Sequence, residues 1–137
     1  MWWIYALLSA FFAALTAVFA KVGIKGVDSD LATAIRTVVI VIIAWLIAFV
    51  KGSTSALPTL SKQNYFFLIL SGIATGLSWI FYFKALQMGK VSQVAPVDKL
   101  SVAIAIVISI IFLHEPLTWK NAVGALMIIG GTVVLIL

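Results

Sequence analysis

Five apolar runs, each close to the length a helix needs to cross a bilayer, take up almost all of this 137-residue chain. The roughly 30 Å hydrocarbon layer requires about 20 mostly apolar helical residues. The runs fall at about residues 2–20, 31–50, 65–87, 91–113 and 119–137. Between the first two lies a turn with Gly23, Lys25, Gly26, Asp28 and Asp30, and between the second and third a polar stretch from Gly52 to Asn64. That stretch carries Pro58 and two candidate capping residues, Thr59 and Ser61, yet it is too short for a domain. The expected fold class is an all-α polytopic membrane protein, with one membrane domain over residues 1–137. Connections this short make consecutive helices antiparallel neighbours.

Only 9% of the residues are charged and 64% are hydrophobic. Soluble domains carry about 25% charged residues, so a water-facing surface cannot be assembled here. The net charge of +5 comes from single Lys and Arg residues scattered between apolar runs. It reads as membrane-flanking charge, with no nucleic acid as partner. Cysteine is absent, and the single His and four acidic residues are dispersed, so no disulfide, thiolate site or metal cluster is expected. With no nucleophile, metal cluster or phosphate loop, neither an enzyme nor a cofactor is expected. Met1-Trp2-Trp3 offers no basic region and further spans follow, so the first run is read as a retained span and not a signal peptide.

Trp2, Trp3, Tyr5, Tyr65 and Trp119 all fall at span ends on the face holding the N-terminus, here side A, where amphipathic rings favour the membrane interface. Lys and Arg in the connections set orientation. Side A has Lys51, Lys62 and Lys120, and side B has Lys21, Lys25 and Lys90. Arg36 and Lys84, inside spans near side B, tilt the balance slightly toward a cytoplasmic side B. Two readings follow: one fixed orientation, or insertion both ways, which produces an inverted pair about an axis in the membrane plane.

The segments FYFKALQMGKVSQVAPV and SVAIAIVISIIFLHEPLTWKNAVGALMIIGGTVVLIL carry a family pattern. It comprises an aromatic-Ala-Leu run, a Gly-x-Val turn, an Ala-Pro pair and an apolar helix ending in Glu. Tyr82, Ala85, Leu86, Gly89, Val91, Ala95, Pro96, Glu115 and Gly124 match it, and Phe19-Ala20-Lys21 matches more loosely. The chain resembles the EamA repeat of the drug/metabolite transporter superfamily. Most members of that family hold two such five-helix repeats in inverted orientation in one polypeptide. The resemblance therefore implies an inverted homodimer of single repeats, multi-pass in the inner or plasma membrane, acting as a transporter. More distantly the chain resembles the small multidrug resistance proteins, but its first span lacks their proton-coupling carboxylate.

A charge at the centre of a span costs about 2.5–3.5 kcal/mol on insertion scales, so Arg36, Lys84, Asp98 and Lys99 each raise a functional hypothesis. Arg36 and Lys84 have stems long enough to snorkel, which is the competing reading. Asp98 is too short to do so. It follows Pro96, which withdraws a donor from the Ser92 carbonyl and is expected to kink the helix. In a regular helix Asp98 and Lys99 lie about 100° apart, so each is expected to find its partner elsewhere. Arg36 and Lys84, or Lys99 of a second copy, are the candidates for Asp98, and a purely structural pair is the alternative.

Ser71, Thr75, Ser78 and Tyr82 form one stripe on the third helix, read either as a hydrated wall or as hydroxyls bonded back to the helix. Trp79 and Tyr82 supply an aromatic face to a substrate. The first-helix alanines and the Gly72/Gly76 pair are expected to pack within one copy, and Gly124 and Gly131 at the dimer interface. His114 and Glu115 are read as a helix-ending turn. These residues lead to an alternating-access carrier for small anionic or zwitterionic metabolites. The sequence does not name the coupling ion; competition between burial and a nearby Arg36 or Lys84 for the charge state of Asp98 is one way of coupling protons. Its rivals are a multidrug cation exporter using Asp98 and a non-transporting subunit or lipid-carrier flippase partner.

Overall fold

A computed structural model describes all residues, Met1–Leu137. Its helices are α1 (Trp2–Gly23), α2 (Ser29–Val50), α3 (Lys62–Met88), α4 (Val91–Asp98), α5 (Leu100–Phe112) and α6 (Trp119–Ile136), with a 3₁₀ helix at Ser53–Thr59. Five segments are long and apolar enough to span a membrane, α4 and α5 counting together as Val91–Phe112. The protein is thus all-helical with the expected spans, and the predicted bounds shift by a few residues at most ends. One change is larger: the fourth span is two helices, interrupted at Lys99.

Local chemistry fixes the helix ends. Asp28 caps α2 by accepting from the Asp30 and Leu31 amides, at 3.0 and 3.1 Å. Ser61, one of the two candidate caps, accepts from the Asn64 amide at 3.1 Å, whereas the Thr59 hydroxyl donates to the Ala56 carbonyl. Thr118 caps α6 through Asn121. Gly52 follows α2 at φ 68°, a left-handed conformation that needs no side chain and lets the chain leave the helix. His114 sits at φ 54° after α5, and the Leu113 and Glu115 amides both return to the Ser109 carbonyl, so His114-Glu115 is the helix-ending turn expected.

The chain forms two compact units. In residues 20–87 the core gathers the last turn of α1, the start of α2 and the end of α3. Ala20, Ile24, Ser29, Thr33, Phe83 and Leu86 are buried there, with Phe83 1% and Leu86 0% exposed. Two side chains staple this end. Lys21 donates to the Leu86 carbonyl, one of the orphan carbonyls at the α3 terminus, and Gln87 Nε2 donates to the Val27 carbonyl at 2.9 Å. The rest of α2 and α3 leaves large apolar side chains such as Val38, Phe66 and Leu70 exposed, which a lipid-facing surface accommodates.

In the other unit, residues 1–19 and 88–137, α6 packs against both α4 and α5. Thr132 is the buried polar contact of α6. Its hydroxyl lies 2.8 Å from the Ile128 carbonyl in its own helix and 3.2 Å from the Pro96 carbonyl in α4.

Because Leu86 is fully enclosed while Leu70 faces outward on the same helix, their truncations separate cleanly. Leu86→Ala is expected to lower stability by about 2–5 kcal/mol in thermal unfolding, and Leu70→Ala by much less.

Candidate functional site

The interrupted fourth span holds the first candidate centre. Pro96 cannot donate to Ser92, and three residues later the Lys99 amide contacts the Ala95 and Pro96 carbonyls at 3.3 and 3.0 Å. The tightening from α-helical to 3₁₀ spacing ends α4. Val102 then restarts the ladder by donating to the Lys99 carbonyl at 3.0 Å. The Thr132 hydroxyl reaches the Pro96 carbonyl across the break. Irregular backbone at membrane depth is tolerated where protein buries it or a cavity hydrates it.

The break also overturns one expectation. Asp98 and Lys99 face each other after all, Lys99 Nζ standing 3.1 Å from the Asp98 carboxylate. The 100° separation belongs to a continuous helix, and the turn at Lys99 releases the lysine from it. The pair is not enclosed, its side chains being 32% and 57% exposed for Asp98 and Lys99.

Arg36 defines the second centre, in the unit formed by residues 20–87. Its guanidinium carbon lies 5.1 Å from the Trp79 ring centroid and 4.3 Å from that of Phe83. Trp79 and Phe83 are four residues apart, so both rings rise from one face of α3. Phe83 is further fixed by edge-on contact with Tyr82 at 6.0 Å, and Tyr82 lies within electrostatic reach of Arg36. The head group is therefore folded onto the rings of α3. Its Nη1 is buried and has no hydrogen-bond partner. Asp28 caps α2 and Asp30 makes no ion pair with Arg36. A cation–π contact contributes about 0.5–2 kcal/mol. A buried donor without a partner costs about 1–3 kcal/mol, and more when charged. Two ring faces thus hold the cation while leaving its N–H bonding incomplete.

The remaining predicted residues divide. Lys84 lies exposed on α3 beside the buried Phe83. Thr75 donates to the Ser71 carbonyl at 2.9 Å, which is the back-bonded reading of the stripe, and Ser78 is exposed. A Cβ built at Gly72, Gly76, Gly124 or Gly131 meets nothing within 4 Å. For Gly72 and Gly76 this corrects the expectation of close packing within one copy. Gly76 instead helps line an open groove of about 520 Å³ with Ile80 and the Thr33, Thr37 and Val41 face of α2. Phe83 and Thr132 were not singled out from sequence. The i, i+4 spacing of Phe83 from Trp79 was the available signal for the clamp.

Five helices long and apolar enough to span, with charges set among them and one span interrupted, define a multi-pass membrane protein. The chain belongs to the EamA-like transporter family, which matches residues 1–137. It is 46% identical over 134 residues to an "uncharacterized transporter in cobO 3'region" of a Sinorhizobium species, covering 98% of this chain and 95% of that one. It is 33% identical to the "uncharacterized transporter YvbV" of Bacillus subtilis, covering 90% of this chain but 41% of the relative. It is 32% identical to human "solute carrier family 35 member G1", covering 93% of this chain and 34% of that protein. No solved structure matches. These transporter relatives agree with the expectation of a non-enzyme.

Each single change at this pair leaves one uncompensated charge within a span. A double-mutant cycle of Asp98→Asn and Lys99→Gln, read by thermal unfolding, is expected to give a favourable coupling of about 0.5–3 kcal/mol, and each variant is expected to fold.

Proposed function

We propose that two copies associate in inverted orientation as an alternating-access carrier of small anionic or zwitterionic metabolites in the inner or plasma membrane. The observation that carries this reading is the charge distribution within the spans: Arg36, Lys84 and Lys99 against one carboxylate, Asp98. An excess of cations at membrane depth favours a substrate that brings negative charge. It disfavours a lipophilic cation, which is also disfavoured by the absence of any acidic residue in α1.

The chain spans 41% and 34% of the length of two of its relatives. Pairing is supported by the three-against-three lysine count, which gives no strong orientation signal. Gly124 and Gly131 on α6, open on their Cβ side, offer a surface where a second backbone approaches closely. The wall of the path is assigned to the third span, with Trp79, Tyr82, Thr75 and Ser78 along it, and the break after Pro96 is the point of flexure. Asp98 and Lys99 form an internal pair that a substrate or a proton displaces, which couples the two.

Transport in proteoliposomes tests this. A panel of carboxylates, amino acids, phosphorylated metabolites and cationic dyes is offered to the purified protein with and without a pH gradient. Uptake of anionic or zwitterionic compounds is expected, with Asp98→Asn abolishing it or removing its pH dependence and Lys99→Gln weakening apparent affinity. Selective movement of the dyes, or wild-type kinetics in both variants, contradicts the proposal.

A further inference from the structure

The geometry around Arg36 points to a receptor for one carboxylate group of the transported molecule, with Trp79 and Phe83 as its positioning clamp; this rests on the carrier reading above. The ring faces at 5.1 and 4.3 Å attract the cation but accept none of its in-plane N–H bonds. The buried Nη1 has no partner, and neither Asp28 nor Asp30 pairs with the guanidinium. A planar fork held against rings, with its Nη1 left unbonded, is the form in which arginine takes a carboxylate, ideally through two parallel bonds.

The charge count selects the class of anion. Arg36 is the one cation in the clamp: Lys21 of the same unit is committed to the Leu86 carbonyl, and Lys84 lies exposed. One guanidinium balances one negative charge, so a monocarboxylate fits and a phosphate dianion carries a second charge with no partner. A Lys at position 36 supplies the charge without the fork. Phe83, fully buried and braced by Tyr82, fixes where the fork stands, and acts through Arg36 without touching the ligand.

The test uses the full chain in phosphatidylcholine discs with Trp2, Trp3, Trp45 and Trp119 changed to Phe, so that Trp79 is the reporting indole. Acetate, glycine and phenylacetate are titrated beside phenylacetamide and inorganic phosphate. Saturable change of Trp79 emission is expected with at least one carboxylate and not with the amide or phosphate. Arg36→Lys is expected to weaken it about tenfold and Arg36→Met to abolish it, the fold being checked by circular dichroism. Phe83→Leu, which keeps the cation, is expected to weaken carboxylate binding about three- to tenfold and supplies the test if Arg36→Met does not fold. Equal response to phenylacetamide, preference for phosphate, no response to any carboxylate, or unchanged binding in the Arg36 and Phe83 variants overturns the assignment. Carboxylate binding without transport overturns the carrier reading alone; transport without Arg36-dependent binding overturns this assignment alone.

Discussion

Inside a bilayer no water is available to bond a backbone amide or carbonyl, so each crossing segment must satisfy itself as a helix or be satisfied by neighbouring protein. Nearly every feature of this chain follows from that constraint. The long α1, α2 and α3 satisfy it internally. Where the ladder ends near the membrane edge, side chains take over: Lys21 on the Leu86 carbonyl, Gln87 on that of Val27, Asp28 on the first α2 amides. Where it fails within a span, after Pro96, the Thr132 hydroxyl reaches in from α6.

The same dry surroundings make charge costly, and the two charged centres meet that cost differently. Asp98 and Lys99 neutralise each other at the helix break as a partly exposed pair. Arg36 has no such counter-charge; its cation rests on Trp79 and Phe83 and one nitrogen stays without a bond. A chain selected only for insertion would gain by losing both centres. Their presence in a member of the EamA-like transporter family accords with a route for a charged solute.

Hydropathy and turn residues located the five spans because length and apolar content are what the bilayer enforces. Ser61 was legible as a helix start for a local reason, whereas Asp28 and Asp30 were legible only as a turn and Asp28 proves to cap α2. The break at Lys99 was not legible. Proline announced a kink, but its position and the resulting Asp98–Lys99 contact depend on a 3₁₀ turn that regular helix geometry does not contain. The Arg36 clamp was half legible: Trp79 stood out as an aromatic wall, whereas Phe83 looked like one more apolar residue of α3 until its burial and its contact with a residue 47 positions earlier were seen. The glycine pair at 72 and 76 misled, since the spacing signals close approach without saying to what.

The claim on which the transport reading rests is that copies lie in both orientations and pair across them. Sided labelling measures this most directly. Cysteine is introduced singly at Ser55 and Lys90, in the connections after α2 and α3, in a chain that has none of its own. Intact cells are then exposed to an impermeant maleimide before and after permeabilisation. The account predicts that each position is labelled in part from outside and in part only after permeabilisation. Labelling of each position exclusively from one face, in every molecule, contradicts it.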